Sequence, residues 1–393
     1  MLDVWPALPL VVMGDLRGPD MDNIITVLER SDRVCRIALD YDSTSQVEKV
    51  WAAMQEPFPE LRHLWMYSVN TVRGQVVPDS FLGGSAPRLR FLQLDAIPFP
   101  GLPKLLLSTT HLVALDLSSI PHSGYFSPEA LVTALSRTAT LDELSLAFRA
   151  LQSRPDPKSR HSLPSTRTVL PALRCFKIEG ACEYLEDFLA RIDVPRLNRF
   201  SIALFYQFDI DTSQLVQFVS RTPTLKAHDE AHVAINGDIV DVTLLSRTDL
   251  VRLTVQILFE ESDFQLSSPA RVSTSSLPFL SMVKTLYIYD ECDLLWEDEI
   301  RIENTEWLDL LRPYAAVENL YLSKKFGSRV VHALKGSVEG RTTVVLPKLQ
   351  TVFLEGLHLS GHVQEDIRQF VAMRQLPGYP CAVSLWDGAG KRP

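Results

Sequence analysis

A chain of 393 residues, 46% apolar and 22% charged, has ordinary globular composition and ample material for a core. Its formal charge of -9 argues against a nucleic-acid grip made mainly through phosphates, and no apolar run approaches the ~20 residues a bilayer-spanning helix needs. The five cysteines, Cys35, Cys175, Cys182, Cys292 and Cys381, are odd in number and scattered, which predicts reduced thiols in an intracellular protein, cytoplasmic or nuclear.

In chain order, Leu8 to Met13 reads as a strand, Gly14 to Asp20 as a loop, and Asp22 to Glu29 as a short helix with Ile24, Val27 and Leu28 on one face. Asp3 and the missing basic start make a secretory leader an unexpected reading. A pattern L-x-x-L-x-L then begins at Val34, Ile37 and Leu39. Val47, Val50, Trp51 and Met54 mark a helix by spacing, and Pro57 ends it. Further copies follow at Leu61-Leu64-Met66, Leu89-Leu92-Leu94, Leu112-Leu115-Leu117, Leu141-Leu144-Leu146, Leu173-Phe176-Ile178 and Leu197-Phe200-Ile202. Later ones are Leu250-Leu253-Val255, Val283-Leu286-Ile288, Val317-Leu320-Leu322 and Leu349-Val352-Leu354. From 92 to 115 the step is 23 residues and from 286 to 320 it is 34. The double step from 200 to 253 leaves room for a degenerate copy near Leu225.

In a strand, side chains two apart share a face, so the last two apolar residues of each copy point inward. One unit cannot cover its own apolar face, and neighbours must stack. The fold expected is one α/β, leucine-rich-repeat-like solenoid over residues 1–390, with a curved parallel sheet on its concave side and helices and loops outside.

Between copies, Ser127-Pro128-Glu129 is a helix start: a capping serine, proline in the first turn, then an acid. Leu131, Ala134 and Leu135 supply its buried face. Residues 151–169, rich in proline, serine and basic side chains, read as a mobile basic loop: a solvated insertion or a docking arm for an acidic partner. Residues 225–244 depart from the pattern; Asn236-Gly237 between apolar runs predicts a β-hairpin projecting from, or added to, the sheet. Ser267 to Ser276 is another loop. Val363, Ile367, Phe370 and Val371 make a helix stripe with Arg374 at its negative end. Ala382 to Trp386 reads as a closing strand, and 391–393 as a disordered tail.

Several strings give a more specific likeness. Pro57-Phe58-Pro59-Glu60-Leu61, the stretch from Pro78 to Leu89, Leu105 to Ser108, Ser123 to Leu131, Glu183 to Asp187 and Glu303 to Leu308 resemble the leucine-rich region of F-box-like proteins of mushroom-forming (basidiomycete) fungi. The likeness covers nearly the whole chain. It implies a substrate-receptor-type relative of ubiquitin-ligase subunits. In that family an F-box of roughly forty residues precedes the repeats. None stands here before the first copy, so binding of a ligase adaptor is implied only if an F-box lies upstream of Met1. The asparagine usual in leucine-rich repeats is absent too; Ile97, Ile120 and Leu357 stand where the turns close.

Little chemistry is legible. His228 and His232 are four apart, but the Asn-Gly turn that follows argues for a strand, where they stand ~13 Å apart, too far to share a metal. The acids between Asp290 and Asp298 lack calcium-loop spacing, and no nucleotide-binding or nucleophile-elbow motif occurs. No enzyme activity, metal or cofactor is expected, and a metal-dependent enzyme using His228 and His232 is the remote rival. The alternation instead singles out the residues between the inward leucines. These are His63, Trp65, Tyr67, Phe91, Gln93, Asp95 and Asp116 in one half, and Arg252, Tyr287, Tyr289, Asn319, Tyr321 and Phe353 in the other. Trp, Tyr and Arg are the residues that dominate protein interfaces, so this face predicts a protein partner, with neither nucleic acid nor membrane. The competing account is that aromatics suit strands and stack across neighbouring rungs. A self-associating scaffold, joined through apolar ends, is the other function carried forward.

Overall fold

The computed structural model describes residues 8–18, 21–42, 44–69, 75–149, 166–205, 212–226, 228–236, 239–246, 251–258, 278–290, 302–339, 345–356, 361–375, 378 and 380–387. They fall into two compact units, Met1–Arg199 and Phe200–Pro393.

The first unit runs β1 (Leu10–Asp15), α1 (Met21–Leu28), β2 (Val34–Tyr41), α2 (Thr44–Ala53), β3 (His63–Ser68) and β4 (Phe91–Asp95). It continues with α3 (Leu102–Leu106), β5 (Ala114–Ile120), α4 (Pro128–Leu135), β6 (Glu143–Phe148), β7 (Thr168–Val169), β8 (Cys175–Gly180), α5 (Cys182–Arg191) and β9 (Ile192–Asp193). Strands β1-β2-β3-β4-β5-β6-β8 lie side by side in sequence order, all parallel, while β7 and β9 pair separately. The repeated apolar residues become register partners. Ile37, Leu64, Leu92, Leu115, Leu144 and Phe176 form one row, and Leu39, Met66, Leu94, Leu117, Leu146 and Ile178 the next. All twelve are buried. At roughly 1.5–3 kcal/mol for each large apolar side chain removed from water, these two rows are the main favourable term that stacks the rungs.

The connections behave as their spacing dictates. Val47, Val50, Trp51 and Met54 are buried on and just past α2, and Ile24 and Leu28 on α1. Ser127 caps α4, its Oγ accepting the Ala130 N–H at 3.2 Å, with Pro128 in the first turn. After α2 the chain makes a tight turn at Phe81–Gly84, pinned where the Leu82 N–H donates to the Met54 carbonyl at 2.7 Å.

The second unit runs β10 (Arg199–Phe205), α6 (Ser213–Arg221), β11 (Glu230–Asn236), β12 (Ile239–Leu245), β13 (Arg252–Leu258), β14 (Thr285–Tyr289), α7 (Asn304–Leu311), β15 (Asn319–Leu322), α8 (Lys324–Glu339), β16 (Thr351–Glu355), α9 (Gly361–Gln375) and β17 (Ala382–Trp386). Its strand order is β10-β13-β12-β11-β14-β15-β16-β17. The expected hairpin is present, with β11 and β12 antiparallel and built into the sheet. The double step from 200 to 253 therefore hides two strands, where one degenerate copy was expected. Leu225 is buried in a short turn, and the strand that follows begins five residues later. Because β13 returns antiparallel to β12, the rung carrying Leu253 sits beside β10, and β11 takes the place next to β14. From β11 through β14, β15 and β16 to β17 the pairs are parallel.

Arg374 stands in the last turn of α9, as its place at the negative end of the stripe predicted. It is buried, and its guanidinium donates to the carbonyls of Leu346 (3.0 Å) and Val345 (3.5 Å). The readings on Leu250, Gly237, Leu357, Ser267 to Ser276, the acidic run from 291, the tail, and all but residues 166–169 of the basic loop lie outside the described residues. Among the described residues no helix is long and apolar enough to cross a membrane.

Candidate functional site

On the face opposite the buried leucines, the first unit presents three rows two residues apart. The first row is Arg36, His63 and Phe91 on β2, β3 and β4. The second is Met13, Ala38, Trp65 and Gln93, and the third Asp15, Asp40, Tyr67 and Asp95. At 3.3 Å per residue the outer rows stand roughly 13 Å apart.

The first row is basic and aromatic. His63 stacks on Phe91 with ring centroids 4.7 Å apart and planes 6° from parallel. Arg90 reaches over the Phe91 ring at 5.9 Å. Burial, then the charges of Arg36, Arg90 and Arg62, lower the His63 pKa from its ordinary value. These three arginines are exposed, with no ion pair among the described residues. Further along the sheet, cations at the strand starts are balanced: Arg174 pairs with Asp142 at 3.3 Å and Arg199 with Glu143 at 3.8 Å. The middle row borders an open concavity of about 400 Å³, lined by Met13, Arg36, Ala38, His63, Trp65 and Gln93 among others. Met13 is 63% and Phe91 38% exposed. The third row is acidic. Arg17 is held by Asp15 through hydrogen bonds of 2.9 and 2.8 Å from its Nε. Burial, then the Asp15 charge, raises the Asp40 pKa against the opposing pull of Arg17.

Of the residues singled out in this half, Phe91 is exposed and His63, Trp65, Tyr67, Gln93, Asp95 and Asp116 are partly buried. Sequence alternation missed Met13 and Asp15, because β1 carries no copy of the pattern. It also missed Arg62 and Arg90, which immediately precede the first outward position of their strands. Their signal was present in the sequence, as arginine directly before His63 and before Phe91.

The second unit uses the same positions differently. His232, Tyr287, Tyr321 and Phe353 are register partners on β11, β14, β15 and β16. Their rings stack in succession at 4.5, 4.4 and 4.2 Å, within 17° of parallel. Trp386 meets Tyr321 and Tyr287 edge-on at 5.5 and 6.1 Å. Tyr287 is 0% and Tyr289 5% exposed, and with Ala234 they form a small core of their own. The expectation that these two tyrosines face an open hollow is corrected: neighbouring rings remove them from any contact surface. Tyr321, Phe353 and Asn319 are half-buried, and Arg252 is exposed. Beside the rings lies a buried polar group. Thr243 donates to Asp241 at 2.8 Å and shares a hydrogen bond with Thr254, and Gln256 donates to Asp241 at 2.8 Å. Burial nevertheless raises the Asp241 pKa.

His232 is buried in the ring stack, its Nε2 2.8 Å from Glu230 Oε1. His228 is buried before β11, and its pKa is lowered to about 4 by burial. Among the described residues no group of three or more His, Cys, Asp or Glu side chains is arranged to hold a metal ion.

No known protein family matches the sequence, and no curated protein does. Among solved structures, the chain is similar to the leucine-rich repeat-containing protein LegL7 from Legionella pneumophila. The identity is 12%, the TM-score 0.33, and the match covers 92% of this chain and 97% of that one. The likeness is loose, and the functional reading rests on the geometry of the face itself.

Proposed function

We propose that the chain is a protein-recognition module, without catalytic activity, that takes its partner on the outward face of β1 to β4. The observation that carries this is the grouping of Met13, His63 and Trp65 around an open concavity that Arg36 also lines, with the exposed Phe91 stacked on His63 and Arg62 and Arg90 close by. Exposed apolar and aromatic side chains rimmed by charge have the composition of interface hot spots. The test is capture of a partner from cell extract by the wild-type chain and by Trp65→Ala with Phe91→Ala. The double variant should lose most of the captured protein; equal capture would count against this face.

A narrower form of the reading is that captured proteins are delivered to a cullin ubiquitin ligase. It is supported by the resemblance of the strings at 57–61 and 78–89 to the fungal F-box-like repeats. Co-purification of a ligase adaptor with the protein from its native cells checks it, and its absence from such complexes would remove this form alone. Self-association is favoured by one observation, the exposure of Leu385 on the edge strand β17. Sizing chromatography with Leu385→Glu separates it: a dimer that becomes a monomer supports it, and a monomer throughout ends it.

A further inference from the structure

We infer that this face selects an extended peptide segment with an acidic, an apolar and a basic side chain at alternate positions, i, i+2 and i+4. The inference rests on the recognition reading and narrows it to one partner chemistry. The acidic side chain lies over Arg36, Arg62 and Arg90, the apolar one enters the concavity beside Trp65, and the basic one meets Asp40 and Asp95.

The spacing is the first argument. Three rows two residues apart repeat at about 6–7 Å, which is the repeat of same-side residues in an extended chain. A peptide lying along the strand direction therefore keeps in step with them. Charge is the second. The arginine field is strong enough to help depress the His63 pKa, and no carboxylate among the described residues pairs with these three guanidiniums. At the opposite row, Asp40 is held up in pKa by burial and by Asp15, while Arg17 is already engaged by Asp15. A guanidinium or ammonium arriving there favours the ionised Asp40, as a carboxylate arriving at the other row favours protonated His63. Shape is the third, since the concavity of about 400 Å³ is lined by middle-row residues Met13, Ala38, Trp65 and Gln93 together with Arg36 and His63 of the basic row, so an apolar side chain entering it lies next to the arginines.

The same polarity rejects other ligands. A polyanion such as nucleic acid that satisfies the arginines is repelled by the acidic row and by a net charge of -9. A polycation meets the opposite difficulty. Peptide direction is left free, because the recognition groups are side chains; acid-to-base and base-to-acid orders both place their charges correctly when the chain is turned round.

The experiment is selection from a random twelve-residue peptide library displayed on phage, using the full-length protein, with Trp65→Ala as the counter-target. Peptides that need Trp65 should carry the alternate acidic, apolar and basic pattern. Synthesised singly, they should bind the triple variant R36Q/R62Q/R90Q at least about tenfold more weakly, corresponding to ~1.4 kcal/mol. Replacing their acid by lysine should cost as much on the wild type and nothing further on that variant. The triple variant R36E/R62E/R90E should prefer the lysine-substituted peptides. The arginine replacements are at exposed positions, and circular dichroism melts confirm that these variants and Trp65→Ala fold. Trp65-dependent peptides lacking the charge pattern would overturn this inference and leave the recognition reading standing. No Trp65-dependent enrichment at all would overturn both.

Discussion

The His63 imidazole lies flat on the Phe91 ring, centroids 4.7 Å apart, with three exposed arginines around the pair. A ring that is both covered and surrounded by cations resists protonation. Phe91→Ala uncovers it, and since burial is the larger cause, the His63 pKa should rise toward its ordinary 6.5. R36Q/R90Q should raise it as well, through the smaller, Coulombic cause. An NMR titration of the His63 side chain reads both; no movement in either variant would mean that this ring is not held as described.

Tyr287 and Phe91 both point to the outward side of their strands and should respond very differently to truncation. Tyr287→Ala removes a fully buried ring from the middle of a stack and should destabilise the protein by about 3–5 kcal/mol. Phe91→Ala, at an open position, should cost about 1 kcal/mol or less. Urea unfolding compares them, and equal losses would contradict the closed and open character of the two faces.

Gly83 sits at φ +64°, and a Cβ there would meet the backbone nitrogen and the ring of Pro57 at 2.7 Å. Left-handed backbone and a fixed proline leave no direction in which to relax. Gly83→Ala should lower stability by roughly 2 kcal/mol or more, whereas Gly336→Ala, with open space around its Cβ on a helix, should be neutral or slightly stabilising. Thermal melts of the two single variants decide this.

His228 gives the fold a pH dependence of known sign. The unfolded chain's histidine titrates near 6.5 and the buried one at about 4. Between these values the unfolded state binds more protons, so stability falls as pH drops from above 6.5 toward 4. At pH 5 this amounts to roughly 2 kcal/mol. Urea midpoints at pH 7.5 and pH 5 should differ less in His228→Leu than in the wild type; an unchanged difference would locate the sensitivity elsewhere.

The interior of each rung was legible in the residues alone. Strand alternation has a period of two, so Leu92 and Leu94 must share a side, and the same spacing in Leu64 and Met66 makes them neighbours in register. The helix spacings before Pro57 and after Ser127 were equally plain, because each is set by local geometry. Alternation also gave the outward set, but an outward residue is open only if nothing else reaches it. Whether something does depends on chain far away in sequence. His232 and Trp386 close over Tyr287 from strands before and after it, whereas Met13 and Phe91, the latter stacked on one side by His63, remain exposed. Arg374 likewise follows a helical stripe and yet turns inward to the carbonyls of Leu346 and Val345, nearly thirty residues back. Even the order of the rungs around β13 was decided by the antiparallel pairing of β11 with β12 and of β12 with β13, which reverses the chain and exchanges its neighbours. Local spacing therefore fixed which side chains form the core, and only three-dimensional packing determined which part of the opposite face remained available to a partner.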